Sequence, residues 1–244
     1  MTSDHNPTKT KESQRKQVRY AVSDDCRLHA SIKVRSSDEG TANKEWSGTL
    51  VDMSSGGAHI QIGLGAVAYV GDSCVLTLAH GGMTTEMRGT LAHYICSARH
   101  SVCGVRFDFS YGGADKAYQR IFRAIVASGG LIAGPAGTES PGRHQEEYRG
   151  PDHAKLVVWR DKPDGTLTGF DYTMARYGAA LATVGTDMFK NKEQVHFKAA
   201  AGGDTGMDLS KAQEWEARAE FSIAASNLPE AIAPDIRRLL RLVS

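Results

Sequence analysis

The chain has 244 residues, enough for two small domains, and its 41% hydrophobic content suffices for packed cores. Twenty-nine basic residues against 28 acidic ones leave a formal charge of +1. This argues against a duplex-DNA binder, which presents a basic face, but leaves room for a small anion held by a few arginines. No apolar run has the length of a membrane span, the start of the chain lacks the apolar core of a secretory signal, and the four cysteines show no CxxC pair. The expectation is a cytoplasmic protein with reduced thiols. A zinc site from Cys96 and Cys103 with His93 or His100 matches no metal-ligand spacing.

Residues 1–14 are polar and read as a flexible tail. Short apolar-alternating runs follow at 28–34, 46–51, 58–62, 73–78, 87–94 and 102–109, with Ser54-Ser55-Gly56-Gly57, Gly71-Asp72 and Gly81-Gly82 between them. Such runs with turn residues between them predict a small antiparallel barrel or sandwich. Over 114–128 the period changes. Ala117, Ile121 and Ile125 recur every fourth residue, beside Tyr118 and Phe122, as the apolar face of a helix that Gly129-Gly130 ends. The segment 134–150 is rich in Gly, Pro, Ser and charge and reads as a linker. Beyond it, 156–159, 166–172, 179–183, 194–199 and 217–225 are predicted strands. Pro234 opens a last helix with Ile236, Leu239, Leu240 and Val243 on its apolar face. Strands ending in a helix thus occur twice, which points to duplication. The organisation expected is a tail (1–14), a first domain (15–128), a linker (129–153) and a second domain (154–244).

Two short elements carry the chemistry. One is Arg15-Lys16-Gln17-Val18-Arg19, an RxxxR just ahead of the first strands. The other is Asp52-Met53-Ser54-Ser55-Gly56-Gly57, a DxSxxG at the end of the strand that begins near Trp46. Guanidinium forks match phosphate oxygens bidentately, and their planes stack on flat rings. A carboxylate accepts from N–H donors, which arginine cannot do, and a serine adds a small hydroxyl donor. A glycine supplies either an unusual backbone shape or close approach.

With Ala58-x-Ile60 after the second motif and Gly104-Val105-Arg106-Phe107 as a last strand before the helix, the sequence over roughly 13–127 resembles the PilZ family. The resemblance implies six-stranded barrels with a C-terminal helix that bind cyclic di-GMP through the two motifs. It nominates Arg15, Arg19, Asp52, Ser54 and Gly57 as ligand-binding residues. Gln14 stands where many family members carry another arginine, so one ligand or a stacked pair are both compatible.

An ungapped alignment sets residues 52–58 on 173–179. Gly48 then falls on Gly169 and Gly57 on Gly178, while the Asp becomes Thr173 and the Ser becomes Ala175; Arg160 is a lone arginine near Lys162. The fold expected is therefore mainly β (α+β), with two six-stranded antiparallel barrels in tandem, each followed by a helix, and a second barrel that does not bind nucleotide. The function expected is a cyclic di-GMP receptor that needs no other cofactor and no metal. Residues 13–24 would order on binding and signal to a protein partner in motility, exopolysaccharide or biofilm control. A homodimer is compatible with this. The alternative is a PilZ-like interaction module that binds no nucleotide. An enzyme is not expected. Gly63-Leu64-Gly65-Ala66-Val67-Ala68 matches GxGxxA but leaves no room for the crossover helix of a dinucleotide fold, and neither GxSxG nor HExxH occurs. His59, in the strand just after the second motif, lines the pocket or, as the simpler reading, faces solvent.

Overall fold

The computed structural model describes residues 17–35, 44–110, 114–135, 144–174, 176–181, 195–199 and 209–244. Arg15, Gln14 and Ala175 lie outside them, as does the tail at 1–14.

The first seven strands are β1 (Tyr20–Ala21), β2 (His29–Arg35), β3 (Glu45–Ser54), β4 (Gly57–Ile62), β5 (Ser73–His80), β6 (Met83–Cys96) and β7 (Ser101–Phe107). They run in the order β1-β3-β2-β5-β6-β7-β4, and β3 also pairs with β4. That pairing closes six antiparallel strands into a barrel and leaves β1 as a short addition on β3. Alternation drives it: β2 buries Ala30, Ile32 and Val34 and turns His29, Lys33 and Arg35 outward. The loop after β4, holding Gly63 and Gly65, leads to β5 with no helix between them. Helix α1 (Ala114–Gly129) covers one end of the barrel with Tyr118, Ile121 and Ile125, as its spacing predicts. Cys103 faces the core while Cys96 is exposed, so these two thiols do not converge.

The remaining strands, β8 (Ile132–Ala133), β9 (His144–Arg149), β10 (Lys155–Arg160), β11 (Leu167–Thr173), β12 (Tyr177–Leu181) and β13 (His196–Ala199), form a sheet in the order β13-β12-β11-β10-β9-β8. Among the described residues its two edges do not meet, so the sheet is open and the expected second closed barrel is not formed there. The presumed linker contributes β9, which pairs with β10 along its whole length.

Two helices follow, α2 (Lys211–Ser226) and α3 (Pro234–Val243). The first corrects the strand expected at 217–225. Ala217, Ala219, Phe221, Ile223 and Ala225 alternate like a strand, but Glu220, Ala224 and Ser226 are buried as well. The helix is enclosed on two sides: Phe221 packs on Phe170, Tyr172 and Phe197 of the sheet, and α1 lies against its other flank. Lys211–Trp215 stay exposed, but from Ala217 on the helix is covered on most sides and loses its one-sided stripe. The signal that identifies it is the capping box, in which Ser210 accepts from the Gln213 N–H and the Gln213 side chain reaches back to the Ser210 N–H.

The two units therefore meet along α1 and α2. Arg120 pairs with Glu216 at 2.7 Å. Asn227, buried at the end of α2, donates to the Ser128 hydroxyl and accepts from the Ser23 N–H at 2.7 Å. Asp25 pairs with Arg241 of α3 at 2.8 Å.

Candidate functional site

One lateral row of the sheet brings the site together. Across β1, β3, β4, β7 and β6 the Cα partners are Ala21↔Asp52, Asp52↔His59, His59↔Gly104 and Gly104↔His93. Two bulges create this alignment, one in β3 between Leu50 and Asp52 and one in β6 between Leu91 and His93. A bulge shifts the side-chain phase, so a residue that strict alternation would send inward is aimed outward. Asp52 and His93 both reach the outer face this way, beside His59.

Arg19 immediately precedes β1, and the pairing of β1 on β3 places it over Asp52. Its Nη1 donates to Asp52 Oδ1 at 3.0 Å. Asp52 Oδ2 lies 2.7 Å from His59 Nδ1, and Arg19 Nη1 is 2.5 Å from His59 Nε2. The same Nη1 lies 2.7 Å from His59 Nδ1, so the guanidinium meets both ring nitrogens while the carboxylate meets Nδ1. The side chains of Arg19, Asp52 and His59 are a third, a fifth and a fifth exposed, so a solute reaches them. At that exposure the ion pair adds about 0–1 kcal/mol to stability.

The turn after β3 is built differently from what the motif suggests. Ser54 is only 4% exposed. Its hydroxyl lies within hydrogen-bond reach of Gln17 Oε1 at 3.2 Å and the Gly57 carbonyl at 3.3 Å, and it accepts from the Gly56 N–H. The backbone carbonyl of Ser54 accepts from the buried Tyr118 hydroxyl at 2.6 Å, which anchors the turn to α1. Burial pushes the Tyr118 phenol far above its usual range, so it stays a donor. Gly57 is required by the sheet: a Cβ there would run into the Val105 carbonyl oxygen of β7. Close strand approach, rather than a left-handed turn, explains this glycine.

The structure thus brings Arg19 and Asp52 into contact and sets Ser54 and Gly57 in the adjoining turn, with Ser54 covered by Gln17. Sequence reasoning did not set Gln17, His93, Gly104 or Tyr118 beside the nominated residues, and it left His59 between the pocket and solvent. Gln17 was visible as the middle of RxxxR, and His59 lies two residues past Gly57, on a strand whose alternation turns it outward. His93 was not visible, because its direction depends on a bulge. His59 and His93 meet edge-to-face with centroids 4.5 Å apart. Partial burial, then the nearby His59 and Arg19, hold His93 below the ordinary imidazole range.

Among the described residues no group of three or more His, Cys, Asp or Glu side chains could hold a metal ion, and no helix is long and apolar enough to cross a membrane.

Comparison with known proteins gives a match over part of the chain. Residues 13–124, a little under half of the chain, match the model of the PilZ domain. Among solved structures, the chain is similar to the PilZ domain with c-di-GMP of YcgR from Escherichia coli, at 13% identity and a TM-score of 0.35, covering 46% of this chain and 91% of that one. No curated protein matches the chain.

Proposed function

With residues 13–124 a PilZ domain, we propose that the chain is a receptor for cyclic di-GMP, bound on the outer face of the barrel between the arm that carries Arg19 and the turn that follows Asp52. The observation that carries this is the 3.0 Å contact between Arg19 and Asp52, residues 33 positions apart that come from the two motifs. The guanidinium serves phosphate or the guanine O6/N7 edge, and the carboxylate serves the guanine N1–H and N2–H₂ donors. Arg15 would add a second guanidinium from the same arm. Ser54 becomes available when Gln17 leaves the turn, and Gly57 keeps that turn against β7.

The ligand competes with contacts the free protein already makes. Asp52 must give up Arg19 or His59 to accept from a base, and Gln17 must uncover Ser54. The arm that moves leads within a few residues to Ser23 and Asp25, which are bonded to Asn227 and Arg241 of the C-terminal unit. We read this as the route from ligand to output, with the C-terminal unit acting as platform for a protein partner rather than as a second nucleotide site. Residues 17–24 are seated on the barrel through Gln17 and β1 and on the C-terminal unit through Ser23, so the switch is a rearrangement of a seated arm rather than the ordering of a mobile one expected over 13–24.

A second reading has its own support. Both Asp52 oxygens are occupied within the chain, as suits an interaction module that holds no nucleotide. Calorimetric titration of the full chain with cyclic di-GMP separates the two. The receptor reading expects saturable binding that Arg19→Ala weakens by about tenfold or more; a silent titration favours the interaction module.

A further inference from the structure

His59 and His93 belong to neither motif and come from different strands. They meet because Gly104 lies between them in the row, where a Cβ would occupy the space of the His93 imidazole. One member of the pair already bridges Arg19 and Asp52. The groups facing His93 are His59 from β4, Arg19 from the arm and Asp52 from β3. At this level β7 presents only Gly104; Arg106, two residues along, is turned to the Thr90 hydroxyl. The setting is lopsided, because burial, His59 and Arg19 all disfavour a proton on His93 and Asp52 alone opposes them. In the free protein this setting keeps His93 neutral at neutral pH.

We propose that the His59–His93 pair makes nucleotide capture proton-linked: the pair takes up a proton from solvent, onto His93, as the phosphates of the ligand arrive over Arg19. This rests on the receptor reading of the same site. The physical reason is that the phosphates of the ligand offset Arg19, one of the groups that disfavour a proton on His93, and bring more negative charge to the pair than the single carboxylate of Asp52 supplies. Binding of the anion and binding of the proton then favour each other, as linkage requires. Gly104 and the β6 bulge are the devices that install the second imidazole.

The test is calorimetry of the full chain with cyclic di-GMP between about pH 6 and pH 8, in pairs of buffers with different ionisation enthalpies. Wild type is expected to take up a sizeable fraction of one proton near pH 7 and to lose roughly three- to tenfold in affinity from pH 6 to pH 8. In His93→Gln the affinity that remains no longer depends on pH or on the buffer. Gly104→Ala, whose new Cβ displaces the imidazole, has the same effect while leaving both histidines in the chain. Wild-type binding with no proton exchanged, or full exchange retained in either variant, overturns the proposal and leaves the receptor reading standing. A titration silent at every pH removes the receptor reading and this proposal together.

Discussion

The β3–β4 hairpin of the barrel and the β11–β12 hairpin of the second sheet look alike in sequence and differ in what they present. Aligned without gaps, Gly57 falls on Gly178 and Asp52 on Thr173. The hairpins themselves align one residue differently. The first closes on Ser54↔Gly57, and the second closes with Met174 N–H donating to the Tyr177 carbonyl. By strand pairing, the counterpart of Asp52↔His59 is Tyr172↔Ala179. Asp52 looks outward because β3 bulges before it. The pairing of β11 with β12 runs without a bulge, and Tyr172 is fully buried against Phe221. One extra residue in a strand decides whether this position makes a ligand site or a core.

The largest expected effect breaks the glycine equivalence. In Gly57→Ala the new methyl meets the Val105 backbone carbonyl, which cannot give way as a flexible side chain would. We expect a loss of about 3 kcal/mol, at the upper end of overpacking costs. In Gly178→Ala the methyl meets the Lys198 side chain at 3.5 Å, an ordinary contact, so the change stays within about 0.5 kcal/mol. Denaturant unfolding of both variants checks this; equal losses would mean that the two turns are packed alike after all.

The next effect lies on the seam between the regions. Glu220 of α2 is buried, its Oε1 has no partner, and burial raises its carboxyl to about 7 despite Arg123, Arg176 and Arg120 nearby. An acid with a raised folded-state value favours the neutral form in the native chain. Its contribution is fully present below the ordinary value near 4.5 and falls away as pH rises, with the loss complete above about 7. Between pH 5 and 8 this amounts to about 2 kcal/mol. Glu220→Gln removes that slope and is more stable than wild type at alkaline pH. Unfolding of both proteins across this range tests it, and parallel stability profiles would show that Glu220 is solvated in solution.

Binding gives the third contrast. Asp52→Ala should weaken cyclic di-GMP by about tenfold, near the lower end of what a base contact contributes. Thr173→Ala should change nothing, since the position paired as Asp52 is paired is held by the buried Tyr172. Calorimetry decides it, and a fold penalty from Asp52→Ala is not expected because the ion pair is exposed.

What could be read from the sequence follows from which physics is local. The barrel strands and α1 were readable because each has one buried face, and period two or three to four survives in Ala30/Ile32/Val34 and in Tyr118/Ile121/Ile125. The motif pair Arg19 and Asp52 was readable as chemistry, though the contact depends on β1 pairing with β3. Phase shifts were not readable: the bulges at Leu50/Asp52 and Leu91/His93 leave no mark in composition, so His93 stayed hidden and Thr173 was set where Tyr172 belongs. The helix α2 was hidden by its own burial, since an element covered on both sides shows no stripe. The strand β9 was hidden by polarity, because His144, Gln145, Glu146 and Glu147 read as linker, although Glu146 and Asp235 together hold the buried Arg160.

The smallest expected effect tests whether the two regions are coupled at all. Asn227 bonds both the arm, at Ser23, and α1, at Ser128. Asn227→Ala strands these partners at a buried seam and should cost about 1 kcal/mol. The informative readout is hydrogen exchange at residues 20–24. If the arm is held by the C-terminal unit as well as by the barrel, Asn227→Ala raises exchange there in the free protein, and cyclic di-GMP restores less protection than in wild type. If exchange over 20–24 is unchanged, the arm is held by Asp52 and Met53 of β3 alone, and a ligand at Arg19 has no path to the second sheet through Asn227.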